Sequence, residues 1–148
     1  MTFLWHLRGS VALDGGLSNE AALRRVKRLL KKQRKPVTDE GADFVAFDQP
    51  LWRDPAHNWA LLVFYNQGRF WIAQGAVGRR LHYDLSSRHG FIFCLFVATL
   101  GFLAGLADRG LLFGLQLAAG AFGWLYGMNL LLAAIRVPMA LRSAVREA

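Results

Sequence analysis

Two uncharged stretches dominate the hydrophobic pattern of the chain. Residues 91–107, FIFCLFVATLGFLAGLA, hold 17 positions without a charge, and residues 111–135 hold 25 more. As helices they would extend about 25 and 37 Å, against a hydrocarbon core of about 30 Å, so the pattern predicts two transmembrane helices. Only Asp108, Arg109 and Gly110 separate the runs, which predicts a tight antiparallel hairpin over residues 90–136. The second run is long enough to span with tilt or to enter the interface at one end. After it, VPMALRSAVREA sets Met139, Leu141 and Val145 against Arg142 and Arg146, which predicts a short amphipathic tail, residues 137–148, on the cytoplasmic surface.

Residues 1–89 carry other periodicities. Ser18 is an N-cap for NEAALRRVKRLLKKQRK, a helix that Pro36 ends. On it Ala22, Leu23, Val26, Leu29 and Leu30 fall within an arc of about 120°. Around the helix the pattern predicts strands at Thr2–Leu7, with Phe3, Trp5 and Leu7 on one face, and at Asp43–Asp48 after a polar connection Thr38–Gly41. Further strands are expected at Trp59–Tyr65, Arg69–Gln74 and Arg79–Leu85, with Asn66-Gln67-Gly68 as a hairpin loop between the first two of these. The expected fold is α+β: a small antiparallel sheet with one basic amphipathic helix, β-α-β-β-β-β, followed by the two-helix hairpin. The linker Ser86 to His89 is short enough to seat the domain on the membrane surface.

Charge sharpens this division. Of 18 Lys and Arg, 14 lie in residues 1–89, whereas residues 91–135 hold only Asp108 and Arg109 as charges. Basic groups on both outer flanks of the hairpin, Arg79, Arg80 and Arg88 before it and Arg136, Arg142 and Arg146 after it, predict cytoplasmic N- and C-termini. MTFLWHL lacks the basic start of a signal peptide. The compact layout fits an integral protein of a bacterial-type inner membrane. The mean hydropathy of +0.25 averages over the two parts.

Within the spans, Gly101 and Gly105 repeat at four residues, as do Ala119, Gly123 and Gly127. That spacing puts small residues on one face, where another backbone can approach. Gln116 and Asn129 are the polar residues of the second span and are expected to hydrogen-bond between helices; Trp124 and Tyr126 read as mid-span groups that fill packing gaps or contact a partner. With no ionisable group inside the spans, transport by this chain alone is not expected.

Chemistry is scarce. Cys94 is the only cysteine, and His6, His57, His82 and His89 are scattered, so no metal site or cofactor is expected. Gly15-Gly16 lacks the lysine of a phosphate loop, and no GxSxG elbow exists. Asp54 and His57 are close along the chain, which is not geometry. His82 and Asp84 read as a solvated strand face. No catalysis is expected.

The strongest signal is the basic face of the helix: Arg24, Arg25, Lys27, Arg28, Lys31, Lys32, Arg34 and Lys35, with no acid between Glu20 and Asp39. Such a face suits membrane lipids with anionic headgroups or an acidic protein surface. Nucleic acid ranks last, because Phe64, Tyr65, Phe70 and Trp71 sit in apolar runs and read as core. The expectation is a non-catalytic accessory or scaffolding subunit, packing its spans against a larger membrane complex or against itself. The alternative is a membrane sensor-effector that binds a small anionic ligand; a membrane-tethered nucleic-acid binder comes third.

Overall fold

The structure, a computed structural model, describes residues 5–49, 62 and 65–146. Five strands form one antiparallel sheet: β1 (His6–Ala12), β2 (Val37–Glu40), β3 (Phe44–Asp48), β4 (Gln67–Gly75) and β5 (Gly78–Ser86). They lie in the order β1-β5-β4-β3-β2. A helix, α1 (Asn19–Lys32), follows β1, so the chain order is the expected β-α-β-β-β-β.

The strands that fill that order differ from those expected. β1 begins at His6 and runs on through Gly9 and Ser10, which look like loop residues in the sequence. Gly9 pairs with Tyr83, and a Cβ there would lie within 2.3 Å of the Tyr83 hydroxyl, so the glycine admits the tyrosine ring across the edge strand. Met1–Leu4, and with them Phe3, lie outside the described residues. The polar connection at Thr38–Gly41 is instead β2, an edge strand exposed at every position. A strand with neither face buried has no alternation to betray it. The expected strand Trp59–Tyr65 lies outside the described residues except at Leu62 and Tyr65. Both are buried, and the Tyr65 N–H donates to the Leu62 carbonyl in a turn (3.0 Å).

Gln67 and Gly68 belong to β4 rather than to a hairpin loop. The hairpin closes later, through Ala76 and Val77 between the paired Gly75 and Gly78. Gly78 takes φ 101°, while Ala76 and Val77 keep negative φ. This is a type I turn relaxed by a left-handed glycine, which matches the twist of the strands.

Helix α1 starts where expected. Ser18 Oγ accepts from the Ala21 N–H at 3.2 Å. Its apolar arc is buried through Ala22, Leu23, Val26 and Leu30, with Leu29 partly buried. It packs on the sheet face carrying Val11, Val45, Phe47, Phe70, Ile72, Leu81, Tyr83 and Leu85.

After β5 a single residue, Ser87, precedes α2 (Arg88–Arg109), and Gly110 at φ 91° turns the chain into α3 (Leu111–Phe122). A π-helical segment, Gly123–Gly127, leads directly into α4 (Met128–Arg146). The result is one continuous helix of 36 residues, Leu111–Arg146. α2 and this helix are long and apolar enough to cross a membrane.

The chain after residue 135 is therefore not a separate surface tail. α4 continues through Pro138, and Ala133, Val137, Leu141 and Val145 join the same core as α1 and the sheet. Within the last turns of the 25-residue apolar run only Ala133 joins that core, while Leu131, Leu132 and Ile135 stay exposed. Tyr126 is correspondingly not mid-span. Its hydroxyl lies 3.4 Å from Ser87 Oγ, at the foot of β5.

Candidate functional site

β5 serves as a ruler for placing charges. Its nine residues extend about 26 Å from Gly78 to Ser86, and Ser86 leads straight into the hairpin. α1 lies along this direction. Its start is at the far end, where Arg79 donates to Asn19 Oδ1 (2.7 Å) and to the Leu17 carbonyl (2.6 Å). Its finish is at the hairpin end. There Lys35 Nζ donates to the Tyr65 carbonyl (2.7 Å), and the neighbouring Asn66 N–H donates to the Ser86 carbonyl (3.0 Å). The basic helix thus stands upright on the hairpin rather than lying flat beside it.

That posture divides the eight basic residues. Lys31, Lys32 and Arg34 are exposed at the hairpin end, and Arg88, which opens α2, is exposed as well. Arg28 and Arg24 are exposed one and two turns further away, and Arg24 pairs with Glu20 at 2.7 Å. The flanks of the face have structural partners: Lys27 pairs with Glu40, and Arg25 donates to the Val145 carbonyl at the end of α4.

Lys35 leaves the basic face altogether. It is 7% exposed; its ammonium donates to Gln49 Oε1 (2.6 Å) and the Tyr65 carbonyl and sits 5.7 Å from the Phe47 ring centre. Burial pushes this amine down to about 8. The reason lies in the turn that ends α1. Arg34 adopts φ 55°, the Lys35 N–H donates to the Leu30 carbonyl and the Arg34 N–H to the Lys31 carbonyl. This Schellman closure swings the next side chain under the helix.

The hairpin carries two glycine sets with different surroundings. Gly105 meets Gly114: a Cβ on the first would lie 2.8 Å from Gly114 Cα, and one on the second 2.7 Å from the Phe102 carbonyl. Around them Gly90, Cys94 and Ala98 are buried, while Gly101 has room for a methyl group. Gly90, Cys94 and Ala98 also stand four residues apart, as do Gly114 and Ala118, so a spacing that admits small residues of any kind finds this seam.

Gly123 and Gly127 face outward with nothing within 4 Å, as does Gly120, and Ala119 and Gln116 are exposed beside them. Gln116, Gly120, Gly123 and Gly127 follow one another at four, three and four residues, a single stripe of the helix surface. Asn129 does not reach another helix. Its Nδ2 donates to the Leu125 carbonyl within the π-helical segment, where the α-helical ladder is interrupted. Trp124 is 70% exposed and lies near the level of Ser87. It stands beside an aromatic collar of Trp5, Phe91, Phe122 and Tyr126, whose successive ring centres are 5.3–5.7 Å apart.

The open face of the sheet carries polar chemistry. Asp84 binds His6 Nδ1 (2.6 Å) through one oxygen and Arg8 Nε (2.8 Å) through the other, and His82 stacks on Trp71 at 5.4 Å. A cavity of about 620 Å³ there is lined by His6, Asp43, Phe44, Arg69, Trp71 and Asp84, among others. Ser86 pairs across the strands with His6, yet its Oγ is buried and makes no hydrogen bond among the described residues. The His6–Asp84 pair therefore reaches no nucleophile through Ser86. Asp54 and His57 lie outside the described residues. Among the described residues no three His, Cys, Asp or Glu gather closely enough to hold a metal ion. Comparison with family models, with curated proteins and with solved structures finds no match to this chain.

Proposed function

We propose that the chain is a non-catalytic integral membrane accessory or scaffolding subunit. In this reading α2 and the first part of the 36-residue helix cross the bilayer, with the sheet and both chain ends on the cytoplasmic side. Gln116, Gly120, Gly123 and Gly127 dock a further transmembrane helix, from another chain or a second copy. Lys31, Lys32, Arg34 and Arg88 meet anionic headgroups, each contributing about 1 kcal/mol near the surface. Arg24, about 11 Å further along α1 than Lys31 and so beyond a Debye length of about 8 Å, is left with Arg28 for an acidic partner.

The observation that carries the reading is the outward glycine stripe. The hairpin closes on Gly105 and Gly114, so Gly120, Gly123 and Gly127 have no role in closing it, and among the described residues nothing touches them. Small residues expose backbone that van der Waals packing against a helix would cover, and Gln116 supplies a donor and an acceptor on the same stripe. The basic side carries the orientation: Lys31, Lys32, Arg34 and Arg88 collect at one end of the hairpin, whereas its turn has Arg109 paired with Asp108 at 3.2 Å.

The test is native mass spectrometry of the full chain from a mild detergent, comparing wild type with Gly123→Leu and Gly120→Leu. The reading expects a stoichiometric complex that the substitutions dissociate, with circular dichroism unchanged. A wild-type monomer without partners, or complexes indifferent to both substitutions, would reject it.

A further inference from the structure

The end of the molecule far from the hairpin holds a second concentration of charge that the proposed function does not use. Arg79, Arg80, Arg25, Arg142 and Arg146 gather there, contributed by β5, α1 and the last turns of α4. Two of them have structural partners. Arg79 holds the start of α1 through Asn19 and the Leu17 carbonyl, and Arg25 closes the end of α4 through the Val145 carbonyl.

The other three line one cleft of about 310 Å³, bounded by Val11 and Ala12 of β1, Asp14, Arg80, and Arg142, Val145 and Arg146 of α4. Arg80 Nε donates to Ser10 Oγ (2.9 Å), which fixes its stem and leaves its two terminal nitrogens to the cleft. Arg142 and Arg146 make no hydrogen bond or ion pair among the described residues. They stand one helical turn apart on α4, and Arg142 lies near enough to Tyr83 to oppose the upward push that burial gives its hydroxyl. Among the described residues one carboxylate, Asp14, shares the cleft with these three guanidiniums and is ion-paired to none of them, a formal excess of two positive charges among them.

We propose that this cleft binds a small phosphate-bearing solute, its phosphoryl oxygens held between Arg80 on the sheet and Arg142 and Arg146 on α4. The choice of ligand follows from the lining. Guanidinium forks match phosphoryl oxygens in bidentate geometry, and an excess of two charges favours a dianion over a single carboxylate. Among the described residues no aromatic ring lines the cleft, so a nucleobase would find no stacking surface there. Arg80, at the cleft, and Ser86, at the foot of β5, are about 20 Å apart along the strand, which puts the site beyond the headgroups of a membrane holding the hairpin. The ligand is a solute rather than a lipid. Because α4 is continuous with the second hairpin helix, an anion bridging Arg80 to Arg142 and Arg146 would fix the angle at which that helix leaves the sheet. This inference does not depend on what docks against the glycine stripe.

The experiment is isothermal titration of the full chain with inorganic pyrophosphate at constant ionic strength, in neutral detergent and in nanodiscs containing anionic lipid. Saturable binding of one pyrophosphate per chain is expected, equal in both media. Arg142→Gln should weaken it by at least about tenfold, and Arg80→Gln with Arg146→Gln should abolish it. Asp14→Asn should tighten it severalfold by removing the carboxylate that lines the cleft. All four side chains are at least partly exposed, so circular dichroism should be unchanged. Absence of saturable heat up to about 10 mM would overturn the proposal, as would an undiminished affinity in Arg142→Gln. Equal weakening by Lys31→Gln and Lys32→Gln would move the anion to the end of α1, and competition by anionic lipid would make the site a headgroup site. Either result would reject the solute cleft.

Discussion

The apolar hairpin and the sheet-and-helix unit are built to opposite patterns. In the unit the large apolar chains Leu30, Phe47, Phe70, Leu81 and Leu85 are inside and the charges, Lys35 excepted, outside. In the hairpin the seam is Gly90, Cys94, Ala98, Gly105 and Gly114, while Ile92, Phe93, Phe96, Leu103 and Leu112 are each more than half exposed. Water would penalise that outer surface heavily. Hydrocarbon does not distinguish a buried leucine from an exposed one, so helices there gain from close backbone contact instead. The lesson concerns where each region is vulnerable: the unit to loss of side-chain volume, the hairpin to its addition.

The largest expected effect is therefore an added side chain in the hairpin seam. In Gly114→Leu the new Cβ would meet the Phe102 carbonyl at 2.7 Å and the Leu106 nitrogen at 3.0 Å, backbone atoms that cannot rotate away. Separating the helices should cost more than about 3 kcal/mol, measured as the loss of resistance to unfolding in mixed micelles. Little change would mean that α2 and α3 are not held this closely. The same added volume at Gly123 should leave hairpin stability alone, because nothing lies within 4 Å of it.

The converse substitution tests the shared element. Leu141 is 1% exposed and belongs to the continuous helix yet packs in the core of the unit. Leu141→Ala should destabilise the unit by about 3 kcal/mol, read by thermal unfolding in detergent, with the hairpin seam unaffected. A neutral result would return residues 137–148 to a surface tail.

These contrasts explain what the sequence makes legible. Length and absence of charge mark both hairpin helices, and a 3.6-residue period with Ser18 as cap marks α1, because each signal is local and repeated. β2 has no buried face, so only its pairing with β3 identifies it. β1 is disguised by Gly9, which is needed for the Tyr83 ring across the strand and not for a turn. The role of α4 was hidden for another reason: Leu141 and Val145 look equally well suited to a bilayer surface and to a protein core, and periodicity does not separate the two. The basic face was readable as a face. Its division into Lys31, Lys32 and Arg34 near the hairpin, Arg25 and Lys27 with internal partners, and Lys35 buried depends on the upright posture of α1, which no local pattern encodes.

Lys35 sharpens the comparison through pH. Its folded amine titrates at about 8, below an unfolded value of about 10.4. Between these values the unfolded chain binds more protons, so stability rises with pH across that window. The cost of charging the buried amine is fully present below pH 8 and is relieved as pH approaches 10.4, worth up to about 3 kcal/mol in all. Relative to Lys35→Met, wild type should therefore gain stability from pH 7.5 to 10.5 in chemical unfolding. A difference that stays flat with pH would show that the Gln49 and Tyr65 contacts support the ammonium as well as water does.

The smallest effect concerns the turn that sends Lys35 inward. Arg34 is the one non-glycine among the described residues with positive φ, at 55°, in a position where a Cβ crowds the following carbonyl. Glycine fits that Schellman position without strain but enters with a larger unfolded-state entropy, so the two terms partly cancel. Arg34→Gly should stabilise the unit by about 0.5–1 kcal/mol in chemical unfolding. It should also weaken binding to vesicles containing anionic lipid by about 1 kcal/mol, because one charge of the hairpin-end cluster is lost. Arg34→Asn separates the terms, since asparagine tolerates the left-handed region while also removing the charge. If both variants lose stability, the guanidinium's own contacts outweigh the backbone strain. Arg34 would then serve chiefly as a structural clasp at the end of α1 rather than as part of the proposed lipid-facing cluster.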